Sequence, residues 1–293
     1  MPAAQSRDGY HLHYEETGSG VPIVLIHEFA GNHQSWEPQL RAFSRRHRVV
    51  TYAARGYLPS DVPRDSEAYS QDHAIDDALA VMDAAGIDRA HVVGLSMGGF
   101  TALHMGLRHA HRLLSITIAG AGYGALSADR ALFAEASLAA ADQFLAQGSA
   151  QFGPVYAAGA ARIPFQVKDP RGWQEFANAL SQHDAIGAAL TLRGVQARRP
   201  VLDHGLEDAL RAMRVPALIV AGDEDDHALQ PALFLKRLLP VSGLLVLPKT
   251  GHTINLEEPA AFNQAVLDFV ASVQAGRWLP RDPRSVGSVL KTS

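Results

Sequence analysis

Short apolar runs alternate with segments of helical periodicity along most of the chain. Such a run is typical of a strand in a parallel sheet, because helices cover both faces of that sheet. Helical spacing is clearest in residues 71–85, where Ile75, Leu79 and Met82 fall on one face. The apolar runs are residues 23–26, 49–52, 90–95, 113–119, 217–221 and 244–247. Their alternation with helices predicts an α/β fold whose mostly parallel central sheet carries helices on both faces.

The alternation is interrupted between residues 123 and 214. Two helical segments, residues 128–147 and 173–182, lie there without a convincing strand between them. A run of helices between two strands of a parallel sheet is typical of an insertion at one edge of that sheet. The interruption therefore predicts a helical cap over residues 123–214, inserted into a core made of residues 1–122 and 215–293.

The charge and composition of the chain argue against several classes of protein. Its 293 residues include 26 Lys and Arg against 30 Asp and Glu, a net charge of −4, and the basic residues are scattered. We therefore expect no nucleic acid partner. Without cysteine there is no disulfide and no thiol nucleophile. No apolar run approaches the ~18 residues of a membrane helix and the start lacks a leader pattern, so we expect a cytoplasmic protein with no membrane partner. Residues 279–293 are expected to be poorly ordered.

One serine stands in a setting that is typical of a nucleophile. The string Gly-Leu-Ser-Met-Gly, residues 94–98, ends the apolar run 90–95 and opens a predicted helix over residues 97–109. This is the G-x-S-x-G pattern, in which a tight turn between strand and helix raises the serine hydroxyl clear of the sheet. Small flanking residues permit the strained backbone, and the helix N-terminus favours negative charge. A Gly-rich loop could contain the same letters by chance, but the strand and the helix favour Ser96 as a nucleophile.

The sequence resembles the α/β-hydrolase superfamily over nearly its whole length. The resemblance runs from His27 through the serine turn to Gly-Asp-Glu-Asp-Asp at 222–226 and Gly-His-Thr-Ile-Asn-Leu-Glu-Glu-Pro at 251–259. In such proteins the nucleophile, the acid and the base follow one another in that order along the chain. The resemblance therefore implies that His252 is the base that activates Ser96.

The acid that would orient this histidine has three candidates. The G-x-x-D spacing of the superfamily selects Asp225, which follows the apolar run 217–221, with Asp223 or Asp226 as substitutes. The acidic cluster could instead be a solvated turn or a weak cation site, and His252 could be a loop histidine held by local hydrogen bonds. The resemblance favours Asp225 paired with His252.

Two backbone N–H donors are expected to stabilise the negative charge that develops on oxygen during acyl transfer. Met97 supplies one by its position after the nucleophile. The resemblance implies Phe29 as the other, because the superfamily often carries H-G-x here and uses the amide of x. Glu28 stands where many relatives have glycine, so its backbone should be strained or the loop should differ slightly. Its carboxylate could orient a water or favour a cationic or hydroxylated substrate, but we favour an ion pair with Arg55.

The histidine patterns give no convincing metal site. His27 and Glu28 lack the second histidine of H-E-x-x-H, because Gly31 stands at that position. His11 and His13 would share one face of an edge strand, but no carboxylate or third histidine has matching spacing. We therefore expect no metal and no cofactor.

The combined pattern predicts a serine hydrolase that cleaves a small carboxylic ester or lactone through an acyl-enzyme. The string Gly-Leu-Ser-Met-Gly-Gly is similar to those of small carboxylesterases and enol-lactonases. The alternatives are carbon–carbon bond hydrolysis of a ring-cleavage dienone or diketone, perhydrolysis, and a small-molecule receptor with little turnover. The substrate should bind beneath the cap, with Glu28, Trp36, Phe133 and His183 as possible lining residues. No sequence patch indicates an oligomeric state.

Overall fold

An eight-stranded sheet forms the centre of the computed structural model, which describes residues 3–286. Its strands are β1 (Ala3–Gln5), β2 (His11–Thr17), β3 (Pro22–Ile26), β4 (Arg48–Tyr52), β5 (Ala90–Leu95), β6 (Leu113–Ala119), β7 (Ala217–Gly222) and β8 (Ser242–Leu247). They lie in the order β1-β2-β4-β3-β5-β6-β7-β8. Strands β3 to β8 run parallel, while β1 and β2 pair antiparallel at one edge. The prediction of a mostly parallel sheet in an α/β fold is confirmed, and each of the apolar runs forms one of its strands.

Helices cover both faces of this sheet. The α-helices within residues 3–286, not all of which lie on the faces of the sheet, are α1 (Glu37–Phe43), α2 (Gln71–Ala84), α3 (Met97–Arg108), α4 (Ser127–Gln147), α5 (Ser149–Ala157), α6 (Ile163–Lys168), α7 (Pro170–Ser181), α8 (Ala185–Thr191), α9 (Glu207–Ala212), α10 (Asp226–Leu238), α11 (Ile254–Glu257) and α12 (Pro259–Gln274). The sequence around helix α2 explains where that helix begins and ends. The Ser70 hydroxyl accepts a hydrogen bond from His73 N at 3.0 Å at the start, and Gly86 follows the end with φ +65°.

Strand side chains divide between two hydrophobic layers because successive residues point to opposite faces of a sheet. On β3, Val24 packs into a layer with α2, α3 and α10. Its neighbour Leu25 packs into the opposite layer, with Phe43 of α1 and Phe262 of α12. Both faces of the sheet are therefore dry, which explains why its strands read as continuous apolar runs.

Helices α4 to α9 lie between β6 and β7 in the chain, and we refer to residues 123–214 as the insertion. Its apolar side chains, among them Phe144 and Phe176, form a third hydrophobic cluster. That cluster also contains Phe29 and Tyr57, which lie just beyond the carboxyl ends of β3 and β4. The insertion therefore packs on the edge of the sheet where Ser96 also lies, at the end of β5.

Between residues 3 and 286, no helix combines the length and the apolar character needed to cross a membrane. The described part of the tail, residues 279–286, contains a 3-10 turn at Pro283–Ser285, where Asp282 Oδ1 accepts a hydrogen bond from Arg284 N at 2.9 Å. The remainder of the tail for which poor order is expected, residues 287–293, lies outside the described residues.

Candidate active site

Ser96 sits in a sharp turn between β5 and α3. Its backbone has φ +53° and ψ −111°, a conformation that costs a non-glycine residue on the order of 1 kcal/mol or more. A 2.7 Å hydrogen bond from Ser96 N to Ala119 O holds the turn against the end of β6. A Cβ at Gly94 would lie 2.0 Å from Gly98 O, and one at Gly98 would lie 2.0 Å from Ile26 O. The turn can therefore close only with glycine at both positions, which gives a physical reason for the G-x-S-x-G spacing.

His252 and Asp225 meet across two loops that follow neighbouring strands. His252 lies beyond β8 and Asp225 directly beyond β7, and His252 Nδ1 is 2.7 Å from Asp225 Oδ2. Because a carboxylate only accepts, a neutral His252 donates through Nδ1 and keeps its lone pair on Nε2. Of the other candidate acids, Asp223 accepts a hydrogen bond from Thr250 N at 3.2 Å, and Asp226 opens α10. Asp225 is therefore the one of these three carboxylates that contacts His252.

Ser96, Asp225 and His252 share the wall of one cavity of about 360 Å³. Glu28, Phe29 and residues of the insertion complete this wall. Neither Ser96 Oγ nor His252 Nε2 hydrogen-bonds to another protein atom in the described part of the chain. Both atoms are available to a substrate. Hydrogen bonds between a nucleophile and its base are often long or absent in an empty site and form when a substrate binds.

The loop after β3 holds the Glu28–Phe29 peptide in a fixed orientation. His27 Nε2 accepts a hydrogen bond from Ala54 N at 3.1 Å, so its Nδ1 donates to Glu28 O, at 2.7 Å. Burial lowers the pKa of His27 to about 4, which keeps the ring neutral at neutral pH. In a trans peptide the N–H points away from the preceding carbonyl, so Phe29 N–H points away from His27. Neither this amide nor that of Met97 donates to an acceptor within residues 3–286.

The partner of Glu28 differs from the one expected. Arg55 donates to both carboxylate oxygens of Asp77 at 2.6 Å, and also to Asp8 at 2.8 Å. Glu28 forms its ion pair with Arg162 of the insertion instead. Burial disfavours the charge on Arg162, but Glu28, together with Tyr156 and Asp225, outweighs burial and raises the pKa of the guanidinium above its ordinary value. The expected pair with Arg55 is therefore wrong, because the sequence did not show which cationic residue the insertion brings to this loop.

Glu28 also has an unstrained φ. Among the non-glycine residues of 3–286, positive φ occurs only at Ser96 and Lys249. We expected either a strained backbone at Glu28 or a slightly different loop, and the φ angle of Glu28 shows no strain.

Two of the suggested lining residues do not line the cavity described here. Trp36 is buried below the sheet face that carries α1 and α12, with its ring centre 6.3 Å from that of Phe262. His183 packs edge-on against Tyr57 at 5.1 Å, and burial lowers the pKa of its ring to about 3. The predictions for Trp36 and His183 are corrected accordingly. Both residues fill hydrophobic packing sites, a role that their spacing in the sequence did not separate from cavity lining.

The cavity wall also contains residues that the sequence did not single out. Those of the insertion are Tyr123, Tyr156, Arg162 and Arg199, and α10 adds His227. Phe133, one of the suggested residues, does line the cavity. The His227 ring stacks on that of Tyr123 with 3.9 Å between the ring centres. The sequence carried no signal for the arginines, since two arginines stand side by side at 198 and 199 and only the fold shows which one turns inward.

His13 lies beside two other potential metal ligands. His13 Nε2 is 3.2 Å from Glu15 Oε1, and His33 Nε2 is 3.6 Å from the same oxygen. All three ligand atoms lie within 4.8 Å of one another. The expectation that no further ligand matches His13 is therefore wrong, because the loop after β3 brings His33 to β2. His33 Nδ1 has no hydrogen-bond partner within residues 3–286, whereas metal-binding histidines usually donate through their second nitrogen. We assign no metal to this cluster, and the absence of a metal stays a prediction.

Comparison with known proteins relates most of the chain to one family. The sequence model of the alpha/beta hydrolase fold matches residues 21–259. 3-Oxoadipate enol-lactonase 1 of Acinetobacter baylyi is 29% identical over 272 residues, which cover 92% of this chain and 96% of that protein. The crystal structure of the enol-lactonase from Burkholderia xenovorans LB400 matches with a TM-score of 0.80 at 23% identity, covering 92% of this chain and 100% of that one. A meta-cleavage product hydrolase from Pseudomonas fluorescens IP01 matches with a TM-score of 0.74 at 23% identity, covering 92% and 97%. These two structures share the fold described above.

Proposed function

Because the chain belongs to the alpha/beta hydrolase fold family, we propose that it is a serine hydrolase that cleaves a small carboxylic ester or lactone through an acyl-enzyme. The observation that carries this proposal is the 2.7 Å contact between His252 Nδ1 and Asp225 Oδ2, in a cavity whose wall also contains Ser96. Similarity to 3-oxoadipate enol-lactonase 1 supports a lactone or ester over other substrates.

In the proposed reaction Ser96 Oγ attacks the substrate carbonyl carbon while His252 Nε2 takes the hydroxyl proton. Asp225 holds the imidazole ring in the tautomer that accepts at Nε2, and stabilises the positive charge that the ring gains. The carbonyl oxygen becomes negative and accepts hydrogen bonds from the N–H groups of Phe29 and Met97. His252 then gives its proton to the leaving alkoxide as the carbon–oxygen bond breaks, which leaves Ser96 acylated.

Water completes the cycle. His252 takes a proton from a water molecule whose oxygen attacks the acyl carbon, and the same histidine returns a proton to Ser96 Oγ as the acid product leaves. For a lactone, the alcohol and acid products are one molecule. The residues of this chain supply each proton transfer, so the proposed reaction needs no cofactor.

We propose that the insertion acts as the cap over this reaction. Its Arg162 pairs with Glu28 in the loop of the proposed oxyanion donor, and Ala161 O accepts a 2.7 Å hydrogen bond from His252 N. The insertion is thus tied to both the oxyanion loop and the histidine loop. A cavity of about 360 Å³ lies within the range of small-molecule sites, roughly 300 to 1,000 Å³.

A substrate panel on the wild type and Ser96→Ala tests the proposal. The panel contains p-nitrophenyl esters, lactones and a ring-cleavage dienone, so that carbon–oxygen and carbon–carbon cleavage are measured side by side. We expect turnover of an ester or lactone by the wild type and its loss in Ser96→Ala, with both proteins folded by circular dichroism. Wild-type turnover in Ser96→Ala would end the proposal. Cleavage of the dienone alone would favour the carbon–carbon hydrolase, and binding without turnover would favour a receptor.

A further inference from the structure

One arginine in the wall of the cavity, Arg199, has no acidic partner among the described residues. Arg199 is only 3% exposed and lines the same cavity as Ser96 and His252. It forms no ion pair with any carboxylate of residues 3–286, a range that contains every Asp and Glu of the sequence. A buried cation without a counter-ion destabilises the folded protein, and a function for this cation would explain its presence.

The neighbours of Arg199 satisfy only part of its guanidinium group. Nη1 donates to Tyr123 O at 2.7 Å, and Nη2 donates to the side-chain oxygen of Gln196. Nε is buried and has no hydrogen-bond partner in the part of the chain that the structure describes. The guanidinium carbon lies 3.8 Å from the ring centre of Phe100 and 4.9 Å from that of Phe133. These neutral groups hold the guanidinium in place and leave its charge uncompensated.

Arg162 provides the contrast within the same wall. It is also buried, but Glu28 pairs with it and balances its charge. Around Arg199 the nearby charge is of the same sign: burial and the cation of Arg130 lower the pKa of Arg199 to about 9. Since this value lies above neutral pH, Arg199 remains a cation in the cavity. Of the two carboxylates in the cavity wall, Glu28 pairs with Arg162 and Asp225 contacts His252, so neither one pairs with Arg199.

The position of Arg199 places this charge close to the proposed chemistry. Phe100, on which its guanidinium stacks, lies one helical turn beyond Ser96, and Phe100 N donates to Ser96 O at 3.0 Å. An anionic group bound at Arg199 would therefore belong to the same small molecule whose carbonyl reaches Ser96.

We propose that Arg199 binds a carboxylate of the substrate, so that the ester or lactone cleaved by this protein carries a second, ionised acid group. A guanidinium donates charge-assisted hydrogen bonds that match a planar carboxylate, and a buried guanidinium without an acidic partner is available to donate them to a ligand. The proposal rests on the proposed function and narrows its substrate to an ester or lactone that carries a carboxylate.

A pair of esters that differ in one charge tests this assignment. Mono-4-nitrophenyl glutarate carries a free carboxylate, whereas methyl 4-nitrophenyl glutarate has that group capped. We expect the wild type to favour the anionic ester by about tenfold or more in kcat/KM, because a hydrogen bond to a charged group discriminates by about that factor. The ratio should collapse toward one in Arg199→Met and take an intermediate value in Arg199→Lys. The ratio should not change in Arg198→Met, since Arg198 is exposed and lies 3.9 Å from Glu67.

Two results would overturn the assignment. One is a wild type that shows no preference for the anionic ester, and the other is an Arg199→Met that lowers kcat/KM for both esters by the same factor. Because Arg199→Met also loses the bond to Tyr123 O, its fold is checked by circular dichroism; if it fails to fold, Arg199→Lys and the preference of the wild type decide the outcome.

Calorimetry on Ser96→Ala separates this inference from the proposed function. Monomethyl glutarate should bind at least about tenfold more tightly than dimethyl glutarate, and Arg199→Met in the same background should remove the difference. Such binding, together with a wild type that hydrolyses no ester of the panel, would retain the anion site and reject the hydrolase. Ester hydrolysis without any difference between the two ligands would reject the anion site alone.

Discussion

The two sides of the cavity wall differ in what fixes their side chains. On the sheet side, Phe29, Ser96 and Asp225 stand within a few residues of the ends of β3, β5 and β7, and His252 follows β8 by five residues. Backbone hydrogen bonds between parallel strands therefore set their spacing. On the insertion side, positions depend on how the helices and the turns between them pack together. The cavity residues of this side include Phe133, Tyr156, Arg162 and Arg199.

This difference suggests that the two sides have different roles. Groups that transfer protons tolerate little displacement, and strand ends provide a rigid frame for them. Groups that recognise a substrate can change with the packing of an insertion while the sheet stays the same. Variants on the sheet side should therefore abolish turnover, and variants on the insertion side should change substrate preference or stability.

The largest loss is expected from the proposed base. In His252→Ala no group remains to take the Ser96 proton, so kcat should fall by about 10⁴- to 10⁶-fold. Steady-state hydrolysis of the best ester of the panel measures the change. His227→Ala is the matched control, since His227 lines the same cavity but stacks on Tyr123. An equal loss in both variants would contradict the role given to His252.

A slightly smaller loss is expected from the proposed acid. Asp225→Asn keeps the shape of the side chain but removes the charge that orients His252, so kcat should fall by about 10³- to 10⁴-fold. Asp223→Asn and Asp226→Asn should remain within a few-fold of wild type, because neither contacts His252 in the structure. If one of those two variants were the inactive one, the assignment of the acid would move to it.

The ion pair between Glu28 and Arg162, which joins the two sides, should contribute to the free energy of unfolding. Glu28→Gln leaves Arg162 buried without its partner, which should lower the free energy of unfolding by about 3 kcal/mol or more. Urea denaturation measures it. Combining Glu28→Gln with Arg162→Met should recover part of the loss, because no charge is then left unpaired. The exposed pair Arg171 and Glu175 is the control, and Arg171→Ala should change stability by no more than about 0.5 kcal/mol. Additive losses in the double variant would show that the two side chains do not interact.

The smallest expected effect concerns pH. His27 takes up a proton near pH 6.5 in the unfolded chain but only near about 4 in the folded protein, because burial lowers its pKa. Between these values the unfolded state binds more protons, so stability falls as pH is lowered from 6.5 to 4. His27→Asn should flatten that fall by roughly 1 to 3 kcal/mol in urea denaturation at each pH. An unchanged slope would show that His27 does not stay neutral beneath the oxyanion loop.

The same difference between the sheet side and the insertion side explains which parts of the site could be predicted from the sequence. Ser96, Asp225 and His252 each follow an apolar strand at a recognisable spacing, and parallel topology brings strand ends to one edge. Trp36 and His183 carried no such marker, and both proved to be packing residues. The partner of Glu28 could not be found either, because Arg162 lies 134 positions along the chain, in the 3-10 turn (Ala160–Arg162) that precedes α6 of the insertion. Contacts that arise from helix packing leave no periodic trace in the sequence.

Labelling with a fluorophosphonate tests the central claim most directly. The reagent forms a covalent phosphonyl adduct on a serine whose proton is taken by a neighbouring base, and intact-mass and peptide measurements locate it. The account predicts one adduct, on Ser96, that is absent from Ser96→Ala and present in Ser137→Ala, whose serine lies in the same cavity wall. It also predicts that His252→Ala labels far more slowly than wild type. An adduct on another residue, or equal labelling of Ser96→Ala, would contradict the account.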